Sequence, residues 1–282
     1  MRQHRFTVFS PLLFPFLVAA SLGLCAQPAA TPGNYSGLTR AQKEEFLLKA
    51  KIVKYQKAKK GITNTLRATL SDGTTTHDAS IQRIDETKRN FEGGPYGTEM
   101  FFRDSWKYNV AAYRLDKLLG LNMIPATVER SFQGTHGSFS WWVVEDVQMD
   151  EETRQNKKLQ APDQVQWNRE MHIVNLFNQL VCNYDLNKTN LLIDKDWRIW
   201  MIDFSRAFRS NTSILEPKLV VLCDSGLLAK LKQLDDATVK KELGPYVESD
   251  RIKGLLARRD KIVKFFEDKG ESALFSIPRR PE

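Results

Sequence analysis

Apolar residues recur at helical spacing in three stretches of the chain. Over residues 104–121 and 163–182 they repeat every three or four positions, which predicts two amphipathic helices. Gly120 lies near the end of the first of these helices, where a glycine favours termination. A third helix is predicted over residues 38–60, with Thr39 as its N-cap and most of its lysines in the second half.

Strand patterns lie between these helices. Thr-rich alternation over residues 62–84 is broken by Ser71-Asp72-Gly73, which predicts two strands joined in a hairpin. Two more strands are predicted over residues 124–132 and 138–147. The glycine-rich segment 91–102 fits no G-x-G-x-x-G spacing, and we expect it to be a loop. Antiparallel strands with one helix indicate an α+β lobe, in the order strand, strand, helix, strand, strand.

The second half of the chain has a different character. Residues 219–274 are predicted to be mostly helical. A short hairpin interrupts the helices, because the apolar residues 191–193 and 199–202 flank a polar turn. The sequence therefore predicts an N-lobe over residues 61–147 and a helical C-lobe over residues 148–282.

The first 26 residues resemble a secretory signal peptide. Arg2 and Arg5 give a positive start, residues 9–24 are almost wholly apolar, and Ala26 offers a small residue for cleavage. An uncleaved membrane anchor and a lipid anchor on Cys25 rank below cleavage. We therefore expect a secreted or periplasmic protein whose mature chain has no transmembrane segment.

Composition and charge exclude few classes of function. With 41% hydrophobic and 27% charged residues, the chain is of globular type rather than disordered or coiled-coil. Its net charge of +8 permits anionic partners without choosing among them. Residues 27–60 are predicted to form a flexible linker and then the basic helix, whose lysines form either a solvated face or an anion-binding surface. Aromatic interleaving among those lysines is limited to Tyr55, so we expect no nucleic-acid partner.

Two cysteines remain once the leader is removed. Cys182 and Cys223 either form one disulfide in an oxidising compartment or stay as buried thiols, and both alternatives are open. The sequence has no C-x-x-C, H-E-x-x-H or His/Cys cluster, so zinc is not expected.

The short hairpin carries the best chemical signal. If Asp196-Trp197 is the middle of its turn, antiparallel pairing places Asn190 opposite Asp203. An amide oxygen and a carboxylate at this point suit Mg²⁺, or Mn²⁺, held together with nucleotide phosphates. Asp185, on the loop leading in, is positioned to accept a hydroxyl proton or to orient the nucleophile during phosphoryl transfer. The alternative is a surface turn in which these residues act as caps.

The spacing of these residues resembles that of protein kinases. Asp185, Asn190 and Asp203 match the catalytic-loop aspartate, the metal-binding asparagine and the second metal-binding aspartate of that family in residue type and separation. The tripeptide Asp203-Phe204-Ser205 resembles D-F-G, with serine in place of glycine. Two arginines just beyond it, Arg206 and Arg209, are candidates for binding phosphate or an acidic substrate, or for ion pairing.

A second likeness lies upstream. Residues 109–121, N-V-A-A-Y-R-L-D-K-L-L-G-L, followed by Ile124-Pro125, resemble the helix of secreted Golgi casein-kinase-type enzymes, which reads E-I-A-A-F-H-L-D-R-I-L-G-F and then V-P-P. HipA-type kinases and phosphoinositide lipid kinases share the general layout of this atypical kinase group. The likeness covers residues 60–210.

The resemblance implies an α+β, two-lobed protein-kinase-like fold with a small antiparallel-sheet N-lobe carrying one helix and a mainly helical C-lobe. It implies an exported phosphotransferase that moves the γ-phosphate of Mg-ATP to an unknown hydroxyl acceptor. It assigns catalysis to Asp185 and metal binding to Asn190 and Asp203. It also places the backbone from Glu145 to Val147 at the hinge that meets the adenine.

Two positions depart from the family pattern. The helix glutamate falls on Asn109, and the phosphate-binding lysine that it pairs with falls on Gln82. These two amides could hydrogen-bond as a neutral pair in place of an ion pair, but such a pair cannot supply the lysine's charge to the α and β phosphates. Arg83 could supply that charge, but in an alternating strand it points to the opposite face from Gln82. If Arg83 faces the cleft, Ile81 does as well, and the sheet buries Gln82 instead. One alternative is therefore a pseudokinase that binds nucleotide or a partner without catalysis, and another is a basic surface-binding protein whose loop residues are structural.

Overall fold

An antiparallel sheet of five strands forms the N-terminal part of the protein in a computed structural model, which describes residues 37–58, 65–94, 97–143 and 147–280. The strands run in the order β1-β2-β3-β7-β6. Their bounds are Lys51–Lys57 (β1), Leu66–Ser71 (β2), Thr76–Gln82 (β3), Thr127–Phe132 (β6) and Thr135–Trp141 (β7). A separate antiparallel hairpin is made by β4 (Asp85–Gly94) and β5 (Gly97–Ser105).

Two helices pack on this sheet, α1 (Arg40–Lys49) and α2 (Trp106–Leu119). Helix α1 starts at Thr39 in a capping box with Gln42, as the sequence predicts. Helix α2 ends at Gly120 in the left-handed conformation, which also confirms the prediction.

The C-terminal part is mainly helical. Its helices are α3 (Glu151–Asn156), α4 (Gln164–Leu180), α5 (Ser225–Gln233), α6 (Asp236–Leu243) and α7 (Ser249–Lys269). A three-stranded sheet of order β10-β9-β8 combines Val147–Asp150 (β8), Leu191–Asp194 (β9) and Ile199–Met201 (β10). The short strands β11 (Cys223–Asp224) and β12 (Leu274–Phe275) pair in parallel. An α+β architecture with a sheet-rich N-terminal part and a helical C-terminal part is thus confirmed.

The predicted basic helix over residues 38–60 is wrong in its second half. The helix ends at Lys49 because Ala50 adopts an extended backbone, and the chain continues as β1, which pairs with β2 at the edge of the sheet. Main-chain pairing with an existing strand outweighs a weak helical pattern here. The lysines of β1 are exposed on this edge strand, where charged side chains oppose unwanted pairing with other chains.

The predicted loop over residues 91–102 is also wrong. It is part of the β4–β5 hairpin, in which the Phe91 and Phe102 rings stack with centroids 4.3 Å apart. This contact between strands buries apolar surface and stabilises the hairpin, which the number of glycines in the segment does not reveal. Among the described residues, the order of elements before β6 is therefore one helix, five strands and a second helix.

Several predicted features fall outside the described ranges, or stay predictions. The leader over residues 1–26 with Cys25, the linker up to residue 36, and Glu145 are not among the described residues. The boundary between the two lobes stays a prediction.

Within the described ranges, none of the helices combines the length and apolar character that crossing a membrane requires. Cys182 and Cys223 are both buried and carry free thiols.

A buried ion pair joins the first helix to the second. The Arg40 guanidinium contacts the Asp116 carboxylate, and the two residues are only 6% and 0% exposed. The other carboxylate oxygen of Asp116 accepts the Met123 amide at 2.9 Å, and Arg40 lies over the Tyr113 ring at 5.0 Å. Because both charges are desolvated, each depends on the other.

Substituting Arg40→Ala is expected to lower the free energy of unfolding by about 3–5 kcal/mol, because it leaves the Asp116 carboxylate buried without its counter-charge. Urea denaturation measures this loss. The control is Lys49→Ala, which removes an exposed pair with Glu45 and should cost less than about 0.5 kcal/mol. Equal losses in the two variants would contradict the importance of the buried pair.

Candidate functional site

Hydrogen bonds of asparagine side chains fix the conformation of the polar stretch after α4. Asn183 donates to the Asn178 side chain at 2.9 Å and accepts the Asp185 amide at 3.0 Å, which fixes the loop to the end of the helix. Asn187 then caps a single 3-10 turn that ends at Asn190 by accepting the Thr189 amide at 3.0 Å. Asp185 and Asn190 are thereby held at opposite ends of one short, ordered loop.

The register of the β9–β10 hairpin differs by one residue from the prediction. Ile193 pairs with Ile199 and Leu191 with Met201, and the Ile202 amide donates to the Asn190 carbonyl at 3.0 Å. Asn190 therefore lies opposite Ile202, and the predicted pairing of Asn190 with Asp203 is wrong. Asp203 follows Ile202 directly and lies just beyond the paired residues of the hairpin.

The physical reason for this shift is a buried side chain in the turn. The Asp194 carboxylate accepts the amides of Asp196 and Arg198 at 2.9 and 3.0 Å, and the indole of Trp200 at 3.1 Å. Trp197 takes the left-handed conformation with φ 60°, so the turn has three residues and is centred on Asp196.

Asp203 lies directly after this hairpin in a strained backbone conformation. Its φ of 58° is in the left-handed region, which an aspartate tolerates at a modest energetic cost. Its carboxylate accepts a hydrogen bond from the Gln82 side chain at 3.3 Å. Burial raises the pKa of Asp203, the Gln82 hydrogen bond opposes this rise, and the like charge of Asp185 adds to it. Asp185 and Asp203 are therefore within electrostatic reach of each other.

Gln82 and Asn109 form the neutral pair that the sequence predicts. The Asn109 amide donates to the Gln82 side-chain oxygen, and the Asn109 side-chain oxygen accepts the Phe204 amide at 2.7 Å. Arg83 extends away from this contact and lies over the Phe132 ring at 5.7 Å. One continuous chain of hydrogen bonds, which we call the amide relay, thus runs from Asp203 through Gln82 and Asn109 to Phe204.

A cavity of about 210 Å³ adjoins the loop. Asp185 and Asn190 both line it, together with Ile202, Phe204 and residues of α4. The predicted site residues therefore fall into two neighbouring groups: Asp185 and Asn190 at this cavity, and Asp203 at the amide relay. Val147 lies apart from both groups in β8, opposite Asp194. Its role in binding a nucleotide stays a prediction.

Sequence reasoning missed a further carboxylate close to Asp203. Asp104, at the end of β5, is buried, and its Oδ1 has no hydrogen-bond partner in the described part of the chain. Burial raises the pKa of Asp104, while a hydrogen bond with Ser205 opposes the rise. Ser205 also opposes the rise in the pKa of Asp203, so it lies near both acidic groups. No sequence signal marks this contact, because it joins a strand to a segment about a hundred residues later.

Comparison with known proteins identifies the fold. No protein-family model and no curated protein matches the sequence of this chain. The structure of hydra Fam20 with sugar is similar to it, with a TM-score of 0.59 and 15% identity over 84% of this chain and 92% of that one. The crystal structure of the Golgi casein kinase has a TM-score of 0.54 and 13% identity over 85% and 78% of the two chains.

The Helicobacter pylori proinflammatory kinase CtkA matches less well, with a TM-score of 0.45 and 10% identity over 79% of this chain and 95% of that one. The first two comparisons show that this chain has an atypical kinase-like fold. At such low identities the likeness concerns the fold alone.

Substituting Asn109→Ala is expected to reduce the free energy of unfolding by about 1–3 kcal/mol, because the Phe204 amide and the Gln82 oxygen both lose their partner. Hydrogen exchange at the Phe204 amide should accelerate in the same variant. Asn90→Ala, at an exposed position of β4, serves as the control and should change stability by less than about 0.5 kcal/mol. Unchanged protection of Phe204 would contradict the amide relay.

Proposed function

We propose that the protein is an exported kinase-like phosphotransferase that moves the γ-phosphate of Mg-ATP to a hydroxyl acceptor. The observation that carries this proposal is the grouping of Asp185, Asn190 and Asp203 around one hairpin of a kinase-like fold. Export rests on the leader predicted over residues 1–26. The hydra Fam20 structure contains sugar, so a sugar hydroxyl is the first acceptor to test, followed by a protein hydroxyl.

The oxygen ligands present suit Mg²⁺ or Mn²⁺. Asp203 provides a carboxylate whose pKa is raised by burial and by the nearby charge of Asp185, so a cation there would offset an unfavourable concentration of negative charge. Asn190 provides an amide oxygen at the adjoining hairpin edge. Divalent ions of this type commonly bind one or two carboxylates together with nucleotide phosphates. The bound ion would neutralise charge on those phosphates.

Asp185 is suited to act on the acceptor. It lines the cavity of about 210 Å³, and the Asn183 side chain fixes its backbone. An acceptor hydroxyl in that cavity would donate its proton toward the Asp185 carboxylate, which orients the hydroxyl oxygen for attack on the phosphorus. The backbone from Glu145 to Val147 would meet the adenine.

A second candidate function is nucleotide binding without catalysis. The specific observation in its favour is the amide relay, in which Gln82 offers Asp203 a neutral donor where kinases use a lysine. A neutral amide can orient a carboxylate, but it supplies no positive charge to the transferred phosphates. Turnover would then be slow or absent while nucleotide binding persists.

Mg-ATP is expected to raise the melting temperature of the protein. At about ten times the dissociation constant the stabilisation is about 1.4 kcal/mol, or about 3–6 °C for a chain of this size. Removing the metal with a chelator, or substituting Asp203→Asn, should abolish most of the shift. Asp196→Asn, in the exposed turn of the same hairpin, should retain it. A shift that survives both the chelator and Asp203→Asn would contradict metal binding at Asp203.

Asp185→Asn is expected to lower the rate of γ-phosphate transfer by about 10²–10⁴-fold, because it removes the proton acceptor while keeping the shape of the side chain. Transfer of radiolabelled phosphate to sugar and protein acceptors measures the rate, and Asp196→Asn is again the matched control. Loss of transfer in both variants, or in neither, would count against the assigned role of Asp185.

The double variant Gln82→Lys with Asn109→Glu distinguishes the two candidate functions. It restores an ion pair at the amide relay, so turnover should rise if the missing charge limits catalysis. Transfer that appears only in the double variant would identify the natural protein as a nucleotide binder. Each single variant is expected to be less stable, because it leaves one buried charge without its partner.

A further inference from the structure

A second cavity, of about 370 Å³, lies between the β4–β5 hairpin and the segment that follows the amide relay. It includes none of the residues assigned to catalysis, metal binding or nucleotide binding. Polar and charged side chains dominate its wall, among them Thr98, Glu99, Tyr184, Arg209, Asp250 and Arg251.

Arg209 is the unusual residue of this cavity. It is only 4% exposed, and its guanidinium lies over the Phe102 and Tyr184 rings, 5.5 and 5.2 Å from their centroids. Its Nη2 contacts Glu99 at 2.6 Å, whereas Nε and Nη1 have no hydrogen-bond partner within the described ranges. A guanidinium that lies over aromatic rings keeps its N–H donors at its planar edge, which is the geometry that recognition of oxyanions uses.

The charges around Arg209 are unevenly matched. Glu99 also faces Arg206 at 3.4 Å, and Arg251 lies on the same cavity wall. Asp104 is a second buried carboxylate near Arg206 and Arg209, so three guanidiniums face two buried carboxylates. Burial lowers the pKa of Arg209; Glu99 raises it, but the positive charges of Arg251 and Arg206 lower it further.

Acidic groups near Arg251 compensate only in part. Asp250, at the cavity rim, is exposed, so its charge is screened by solvent. Glu248, which is 3.4 Å from Arg251, is partly exposed as well. The buried part of the cavity therefore carries an excess of positive charge.

We propose that this cavity binds a phosphate- or sulfate-type oxyanion, with the unpartnered edge of Arg209 as the principal donor and Arg251 as a second source of positive charge. Charge-assisted hydrogen bonds from a guanidinium to such an anion are short and strong. They would also give acceptors to the Arg209 N–H groups, which are costly to leave buried without one. Tyr184, which covers Arg209, precedes Asp185 in the chain, so the site adjoins the loop assigned to the acceptor. The proposal stands independently of phosphoryl transfer.

Isothermal titration of the purified chain with inorganic phosphate, and separately with sulfate, tests the proposal without nucleotide or divalent cation. Saturable binding is expected, weakened about tenfold or more by Arg209→Gln. Thr98→Glu places a negative charge on the cavity rim while leaving Arg209 intact, and it should weaken binding as well. Arg89→Gln, at an exposed position of the same hairpin, should bind as the unmodified chain does.

The source of the oxyanion is distinguished by titration with phosphoserine. Tighter binding of phosphoserine than of phosphate would identify a phosphate carried on a larger molecule, and equal binding would identify the free ion. Absence of saturable binding for phosphate and sulfate would overturn the proposal, as would affinities that neither Arg209→Gln nor Thr98→Glu changes. If Arg209→Gln does not fold, Thr98→Glu decides. Failure of phosphate transfer from ATP would leave this result unaffected.

Discussion

The hydrogen-bond chain from Asp203 through Gln82 and Asn109 to the Phe204 amide is the interaction on which the candidate site depends. It connects a strand, a helix and the segment after the β9–β10 hairpin, three parts of the chain that are distant in sequence. All of its donors are uncharged, so the relay fixes the position of the Asp203 carboxylate without adding positive charge beside it. A lysine–glutamate pair would both position the Asp203 carboxylate and place a positive charge beside it. In this protein the amide relay does only the first.

Main-chain contacts reinforce the same arrangement from both sides. The Ser105 amide donates to the Ser205 carbonyl, and the Met201 amide donates to the Met123 carbonyl, each at 2.8 Å. These bonds help to explain how the left-handed backbone of Asp203 is maintained, because a strained residue persists only where its surroundings over-determine it. This rigid arrangement is electrostatically unfavourable, because the Asp203 carboxylate lies near the like charges of Asp185 and Asp104. Only hydrogen bonds offset this repulsion.

The sequence predicted the long-range contact between Gln82 and Asn109, yet it placed Asn190 one residue out of register. The Gln82–Asn109 contact was predicted correctly because a resemblance to a known family implies long-range contacts, which hydrophobic periodicity cannot reveal. The prediction for Asn190 failed because the turn is set by the Asp194 side chain, whose three hydrogen bonds follow from burial and not from a local motif. Strand β1 was missed because an edge strand gains its stability from pairing with a distant neighbour, which a window along the chain does not contain. Asp104 escaped detection for the same reason. Arg209 was recognised in the sequence as a candidate for binding phosphate or for ion pairing, but the cavity around it was not, because its lining comes from distant parts of the chain.

Crystals grown with Mn²⁺ and a non-hydrolysable ATP analogue, measured at the manganese absorption edge, test the central claim most directly. We predict an anomalous peak bound by the Asp203 carboxylate and the Asn190 side-chain oxygen, with nucleotide phosphates on its other side and Asp185 facing the terminal phosphate. A peak away from both residues, or nucleotide bound at a site that none of the three residues borders, would contradict the assignment of this hairpin as a phosphotransfer centre.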